Sequence, residues 1–493
     1  MKKEIILNFI FTIISSLLGF IQNKYFVKYM GIETLGVMKL FSQLLAYLNI
    51  IELGIGSAST FALYKPLSEK NYQQISIVMN TIEDIYNKIG LLLFILGVLC
   101  APIIPFLIEI SNFSNKIYFY WILYVLNTVL TYLFIKYVIL FTANQEFMYV
   151  KIVQSISIIC FRIFQIFCIV KFHSFFIYIL LLIFDNLVQW IFLKNHYKKK
   201  YFYVKKVKEK YEKIKTDVKK LFWHKIGGLI VFNTDLILIS KLTDLKIVGI
   251  YASYQMILQV LSIIVNIFLN VLSPKIGKYI VEHTKQEVYS HFKKYNILFC
   301  FISINFTYCT YILMDSFINL WIGYDFILDK LTLKLICFNL WVNLFRWNLE
   351  TFKTGAGFFD DINAPILESI INLTISIVLG IKIGLNGIII GTIASNIIVI
   401  LIYRPILVFK KCFDKGIKEY IRLYMNYLIL TFISIVSCNF ILSFINLRNI
   451  VISWYEWIRQ GFITGIIVGI ITFIIFLSNK NFRDNLINCN NIL

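Results

Sequence analysis

The sequence contains few charged residues, and acidic residues are especially scarce. Only 15% of its 493 residues are charged, and 27 acids stand against 48 lysines and arginines, whereas about 25% of a soluble globular chain is charged. Hydrophobic residues make up 59%, and the mean hydropathy is +0.76. These proportions exclude a soluble globular protein and predict an all-α polytopic membrane protein, because helices are the usual way for a chain to cross hydrocarbon.

Catalytic patterns are absent as well. The sequence has five histidines and contains no HExxH, GxSxG, P-loop or paired-acid motif in a polar segment. The longest predicted loop on the outer side, about 315–330, is too short to hold a catalytic domain. We therefore predict no catalytic residues and a protein that is not an enzyme.

The nine cysteines are scattered and include no CxxC pair. Cysteines spread through apolar segments usually behave as small hydrophobic residues. We expect no metal site and no bound cofactor.

Long apolar runs predict about 14 transmembrane helices, since a span needs roughly 20 apolar residues. The first run is long and lacks a cleavage site, so we interpret it as a retained helix rather than a signal peptide. Only three residues separate the fifth span from the sixth. The predicted spans are 5–27, 35–64, 82–108, 117–141, 150–172, 174–193, 221–240, 247–272, 295–314, 331–352, 363–381, 386–409, 421–446 and 453–478.

The loops differ in basic residues, and this predicts the orientation. Alternate connections, counted from the N-terminus, carry 31 lysines and arginines, and the opposite set carries nine. Basic loops remain in the cytoplasm, so both termini of this multi-pass protein are predicted to be cytoplasmic. The net charge of +21 then reflects these loops, and we expect membrane lipids rather than nucleic acid as partners.

The most basic loop divides the chain. We predict an N-terminal six-helix bundle over 1–193, a basic cytoplasmic linker over 194–220, a second six-helix bundle over 221–412, and two extra helices with a tail over 413–493. The linker either sets topology by resting on anionic headgroups or gathers an anionic lipid substrate. An offset of 213 places Gly36 over Gly249 and suggests a parallel repeat, a known plan of transporters.

Ionisable residues within or beside the spans are candidates for function, because a charge in hydrocarbon is costly and must face the protein interior or water. The alternative for each is an interhelical ion pair, and the spacing of Arg346 and Glu350 allows one within a single helix. The candidate acids, which either bind a coupling ion or compensate the cations, are Asp185, Asp235 and Glu368. Cations suited to a phosphate in a central cavity are Lys39, Lys136, Arg162, Arg346, Lys353 and Arg404.

Two segments resemble the Wzx-like polysaccharide flippases, a family of the multidrug/oligosaccharidyl-lipid/polysaccharide exporter superfamily. One is a helical hairpin over 223–279 that contains Asp235 and reads WHKIGGLIVFNTDLILISK and then VGIYASYQMILQVLS. The other runs from FRWNLETFKTG to IYRPILVFKKCF. The family residues within it fall on Arg346, Phe352, Lys353, Gly357, Asp361, Pro365, Glu368, Asn372, Leu373, Ser376, Gly384, Gly387, Gly391, Thr392, Ser395, Arg404 and Pro405. Two acids, Asp360 and Asp361, stand where the family has one.

The resemblance implies a protein of the bacterial cytoplasmic membrane with two six-helix bundles around a cavity that opens alternately to each side. It implies translocation of undecaprenyl-pyrophosphate-linked oligosaccharide repeat units for O-antigen or capsule synthesis, with a polysaccharide polymerase and a chain-length regulator as further partners. Coupling to H+ or Na+ is compatible with this. A drug/cation antiporter of the same superfamily is the first alternative, and a membrane polysaccharide polymerase or acyltransferase the second. Glycines 380, 384, 387 and 391 suggest either a hinge or a plain helix contact with a turn.

Overall fold

The computed structural model describes residues 2–52, 55–107, 116–207, 209–211, 234–358, 361, 363–445 and 449–487, and these residues contain helices and no strands. They form two compact units, Met1–Ala252 and Ser253–Leu493. The all-α prediction is confirmed. We number the α-helices α1 to α19 in chain order.

The N-terminal unit contains ten α-helices in its described part. Short 3-10 segments, Asn49–Glu52 and Ala101–Ile103, follow α2 and α4. The helices are α1 Lys2–Met30, α2 Ile32–Leu48, α3 Ile55–Ser68, α4 Tyr72–Leu99, α5 Ile104–Leu107, α6 Lys116–Tyr132, α7 Ile135–Ala143, α8 Phe147–Phe172, α9 Phe175–Lys200 and α10 Asp235–Leu242.

The C-terminal unit begins within the long helix α11 and continues through three helices, α17 to α19, beyond the predicted second bundle. A π-helix, Asn396–Tyr403, and a 3-10 turn, Tyr324–Phe326, interrupt its α-helices. These are α11 Leu245–Glu282, α12 Lys285–Trp321, α13 Lys330–Gly355, α14 Asn363–Ile383, α15 Leu385–Ser395, α16 Arg404–Cys412, α17 Ile417–Phe444, α18 Trp454–Phe476 and α19 Lys480–Ile487.

Eleven helices of the described chain are long and apolar enough to cross a membrane, and each coincides with one of the 14 predicted spans. Three spans differ for separate reasons. The span 35–64 is divided between α2 and α3, most of 221–240 lies outside the described residues, and α13 has the required length but is not among the eleven helices that are apolar enough. Charged residues of α13 are among the functional candidates discussed below.

The least separated pair of predicted spans is confirmed as two helices. His173, at the C-terminus of α8, adopts the left-handed conformation with φ 48°, and the hydroxyl of Ser174 accepts from the backbone N–H of Ile177 at the start of α9. A left-handed residue ends one helix and a serine cap begins the next. His173 and Ser174 therefore suffice to reverse the direction of the chain.

The boundary between the two units lies further along the chain than the predicted basic linker. Helix α10 packs against α2 and α5 of the first unit, and residues 194–200 of the predicted linker continue α9 as helix. Residues 201–207 and 209–211 lie outside the helix, and two of them, Lys205 and Tyr211, bind to α4. Their hydrogen bonds join Lys205 N to Ser76 Oγ at 3.1 Å, Asn80 Nδ2 to Lys205 O at 2.8 Å and Tyr211 N to Thr81 Oγ1 at 3.0 Å.

The predicted hairpin over 223–279 is described from Thr234 onward. Its turn comprises Thr243 and Asp244, and its second helix, α11, continues to Glu282, ten residues beyond the predicted end of the span. Asp235 is the first residue of α10, and an acidic side chain at a helix N-terminus interacts favourably with the helix dipole. This is a structural reason for an acid at this position.

Helices α2 and α11 meet at the two glycines that the repeat aligns. A Cβ added to Gly36 would overlap the carbonyl oxygen of Leu245, and a Cβ added to Gly249 would overlap that of Ile32. The contact is reciprocal, because 32 and 245 are also separated by 213. In an isologous contact, equivalent residues of two related elements contact each other reciprocally. The contact between α2 and α11 has this form, and it supports the proposed repeat.

The turn between α7 and α8 is held by an acid with several partners. The carboxylate of Glu146 accepts from the Tyr201 hydroxyl, from Asn144 Nδ2 at 2.6 Å and from His196 Nε2 at 3.0 Å, and it pairs with Lys200 Nζ at 3.0 Å. Burial by itself raises the pKa of Glu146, but these hydrogen bonds and the ion pair lower it to about 2. The ionised form is therefore favoured by folding.

We expect Glu146→Gln to lower the stability of the protein at pH 7 by about 1–2 kcal/mol, after allowance for solvent screening. The contribution is present above the ordinary glutamate pKa of 4.5 and is lost as the pH falls toward about 2. Unfolding of the detergent-solubilised protein at pH 7 and pH 3 measures this. A difference between wild type and variant that is the same at both pH values would contradict the assignment.

Candidate functional site

Three charged side chains project from one face of α13. Arg346, Glu350 and Lys353 occupy positions i, i+4 and i+7, and this spacing places them on the same side of a helix. The sequence allowed Arg346 and Glu350 to pair with each other. In the structure Glu350 pairs with Arg404 Nη1, and its other oxygen lies 3.7 Å from Lys353 Nζ.

Two further acids complete this group, which we call the C-terminal charge cluster: Arg346, Glu350, Lys353, Asp361, Glu368 and Arg404. Asp361 Oδ2 lies 2.5 Å from Lys353 Nζ and 3.3 Å from Arg404 Nε. Glu368 of α14 lies 3.9 Å from both Arg346 Nη1 and Arg404 Nη2. Each predicted cation of this unit therefore contacts an acid.

The cluster is buried and electrically neutral. Lys353, Asp361, Glu368 and Arg404 are only 4–8% exposed, and three positive charges meet three negative ones. Buried charges remain ionised when each has a close partner, and removing one partner is strongly destabilising. In this conformation Glu368 compensates two arginines, which supports the structural alternative for that acid.

The position of Arg404 depends on an irregular helix. The π-helix Asn396–Tyr403 joins α15 to α16 and changes the helical phase before Arg404. Pro405 follows, and it lacks the N–H that an α-helix would donate to the carbonyl of Leu401. The hydroxyl of Tyr420 in α17 donates to that carbonyl, so a helix beyond the predicted second bundle stabilises the irregular segment.

The hairpin of α14 and α15 is packed through small residues. Gly384 has φ 58° and forms the turn, and a Cβ on Gly387 or Gly391 would overlap α14. Across the hairpin, Asn372 Nδ2 donates to Thr392 Oγ1 at 3.1 Å, and Ser376 Oγ donates to the Ile388 carbonyl at 3.0 Å. The glycine series is thus a turn and a close helix contact, the second of the two alternatives left open by the sequence.

The N-terminal unit has a different balance of charge. Lys39 of α2 and Arg162 of α8 are partly buried and repel each other electrostatically. Arg162 Nη1 donates to the carbonyl oxygen of Ser15, and its Ser15 Oγ contact is 3.5 Å. Among the residues that the structure describes, neither cation has an ion-pair partner within 4.0 Å.

Asp185 and Lys136, the other candidates in the N-terminal unit, both contact neighbouring side chains. Asp185 of α9 accepts from Ser157 and, at 3.0 Å, from Gln189 Nε2, and its charge attracts Arg162 at longer range. Lys136 forms an ion pair with Glu83 of α4. Lys136 is therefore neutralised here, whereas Asp185 attracts Arg162 only at longer range.

The sequence analysis included neither Glu83 nor Ser15, and it did not give Glu350 and Asp361 a role in the site. Glu83 lies near a predicted span end, where a charge is unremarkable, and Ser15 acts through its backbone. Of the two neighbouring acids after Lys353, Asp361 is the one in the charge cluster, and Asp360 lies outside the described residues. Which of the candidate charges bind substrate remains a prediction.

The fold is that of known membrane transporters. A lipid II flippase MurJ in an inward closed conformation superposes with a TM-score of 0.70 at 17% identity, covering 96% of this chain and 99% of that one. An inward-facing MATE family multidrug resistance transporter of the MOP superfamily gives 0.64 at 12% identity, covering 83% and 96%. The chain therefore has the transporter fold of this superfamily.

The family itself follows from the sequence profile described as "Polysaccharide biosynthesis protein", which matches residues 1–280. This is more than half of the chain, so the protein belongs to that family, and the resemblance found in the sequence is confirmed. A search of curated proteins finds no match.

Proposed function

We propose that the protein is a flippase that translocates undecaprenyl-pyrophosphate-linked oligosaccharide repeat units across the cytoplasmic membrane by alternating access, with both termini in the cytoplasm. The sugar and pyrophosphate would pass through the protein while the lipid tail stays in the bilayer. A protein is needed because hydroxyl groups and charges are costly to carry through hydrocarbon. Translocation requires no covalent step.

The observation that carries this proposal is the pair Lys39 and Arg162. Two like charges held near each other in a partly buried place are unfavourable unless an anion binds between or beside them. Arginine and lysine are the side chains that bind phosphate, and the guanidinium does so with two parallel hydrogen bonds. A pyrophosphate headgroup fits this arrangement, and a cationic drug does not.

We further propose that an ion gradient, of H+ or Na+, drives translocation. Asp235 is the acid to test first, because it lies in the hairpin that resembles the family, at the start of α10. If Asp235 couples an ion, Asp235→Asn should change the pH or Na+ dependence of translocation. Wild-type dependence on both would leave this acid with a structural role at the start of α10.

The proposed function predicts that Arg162→Ala and Lys39→Ala each reduce translocation at least about tenfold, because a hydrogen bond to a charged group contributes about 1.5–3 kcal/mol. The measurement is the amount of complete lipid-linked repeat unit on each leaflet of the cytoplasmic membrane. Arg162→Lys should retain part of the activity, and Lys28→Ala, an exposed cation of α1, should retain all of it.

Three outcomes separate the alternatives. Accumulation of repeat units on the cytoplasmic leaflet in the Arg162 and Lys39 variants supports the flippase. Normal surface polysaccharide in both variants contradicts it, and efflux of cationic drugs by the same variants would favour an antiporter. Single repeat units that reach the outer side but are not joined would point to a polymerase.

A further inference from the structure

The C-terminal unit contains a cavity that is lined by none of the residues of the C-terminal charge cluster. It has a volume of about 720 Å³ and lies between α12, α13 and α17, within the range of about 300–1,000 Å³ typical of sites for small ligands. Much of its wall is aromatic or aliphatic, with Tyr311, Phe338, Trp341 and Phe432 among the lining residues.

The rim of this cavity faces the side of the protein that hydrocarbon would cover. Phe432 is 69% exposed, and Leu428 and Ile435 of the same helix are also exposed. A helix that crosses a membrane presents such residues to lipid chains. An occupant can therefore enter from the bilayer without passing through water.

One cation marks an end of the cavity. Lys334 lines it, lies in the first turns of α13 and is exposed. No described acid lies within 4.0 Å of its ammonium group. The acid closest before it in sequence, Asp329, is engaged as the cap of α13, where it accepts from the N–H groups of Leu331 and Thr332 at 3.0 Å.

We propose that this cavity binds a membrane glycerophospholipid with an anionic headgroup, with an acyl chain between α13 and α17 and the phosphate at Lys334. The ligand is a lipid of the surrounding bilayer and not the transported molecule. It would fill the space between the helices of the second bundle and the first of the two extra helices. The site is independent of the proposed translocation.

The test is native mass spectrometry of the full-length protein in detergent after removal of bound lipid. Phosphatidylglycerol, phosphatidylethanolamine and undecaprenyl phosphate are added separately at matched concentrations. We expect one phosphatidylglycerol to bind with an affinity at least about fivefold higher than the zwitterionic lipid, since a cation near an anionic headgroup contributes an amount of this size.

Two variants address the two parts of the site. Lys334→Ala should remove the preference for phosphatidylglycerol, and Ile435→Trp should fill the cavity and reduce binding of both phospholipids about tenfold. Lys382→Ala, an exposed cation at the end of α14, and Ile441→Trp, an exposed position of α17 outside the cavity, should leave binding unchanged.

Equal binding of the two phospholipids, or a preference that survives Lys334→Ala, would overturn the assignment of the headgroup. Undecaprenyl phosphate that binds more tightly than phosphatidylglycerol, with an affinity lowered by Ile435→Trp, would overturn the phospholipid and assign the cavity to the substrate. None of these results depends on flippase activity, which is measured separately through Arg162 and Lys39.

Discussion

Arg404→Gln is expected to destabilise the protein by about 3–5 kcal/mol, because the substitution leaves three buried acids with two cations. Arg404 interacts with Glu350, Asp361 and Glu368 at once, and Asp361 and Glu368 are too deeply buried to recover their hydration. The free energy of unfolding in detergent, measured by titration with a denaturing detergent, tests this. The expected loss exceeds that of any exposed ion pair in the chain.

The matched control is Lys415→Gln, which removes a more exposed cation 3.8 Å from Glu419. Pairs of this kind contribute about 0–1 kcal/mol. The double variant Arg404→Gln with Glu350→Gln restores neutrality and should regain part of the lost stability. If Arg404→Gln is as stable as the control variant but does not translocate substrate, the residue binds substrate rather than stabilising the fold.

Gly249→Ala should destabilise the protein by about 3 kcal/mol, the upper end of the range for overpacking. The added methyl group would overlap the carbonyl oxygen of Ile32, and the clash is with backbone rather than with a flexible side chain. Gly36→Ala should have a similar effect through Leu245. Thermal unfolding and the yield of monodisperse protein measure both variants.

The control for the glycine variants is Gly465→Ala in α18, where no atom lies within 4 Å of the added Cβ. Because alanine favours a helix by up to about 1 kcal/mol over glycine, this variant should be at least as stable as wild type. Full stability of Gly249→Ala would show that α2 and α11 do not approach closely and would remove the support for the repeat.

Hydropathy identified the class of protein because the bilayer imposes a length and a composition on each span. The eleven candidate helices coincide with predicted spans for that reason. Helix α13 shows where this reasoning is limited. By composition it falls short of a membrane span, and only the burial of its charges against Asp361, Glu368 and Arg404 explains how the helix accommodates them.

The sequence could not predict which charged residues far apart in the chain form ion pairs. Arg346 and Glu350 have the spacing of a pair within one helix, but Glu350 contacts Arg404, 54 residues away. Likewise, Lys136 and Lys39 are both cations within predicted spans. Glu83 neutralises the first, whereas the second lies near Arg162.

The sequence by itself determined that this is an all-helical membrane protein of the polysaccharide biosynthesis family, and it selected the charged residues that deserve attention. Composition and motif spacing are local properties, so the chain reveals them directly. Only the tertiary structure decided which charges compensate one another, where Gly36 meets Gly249, and which cations of the N-terminal unit have no described acid within 4.0 Å. Those facts depend on distances of a few ångströms between helices far apart in the chain, and the attraction or repulsion of charges changes over such distances.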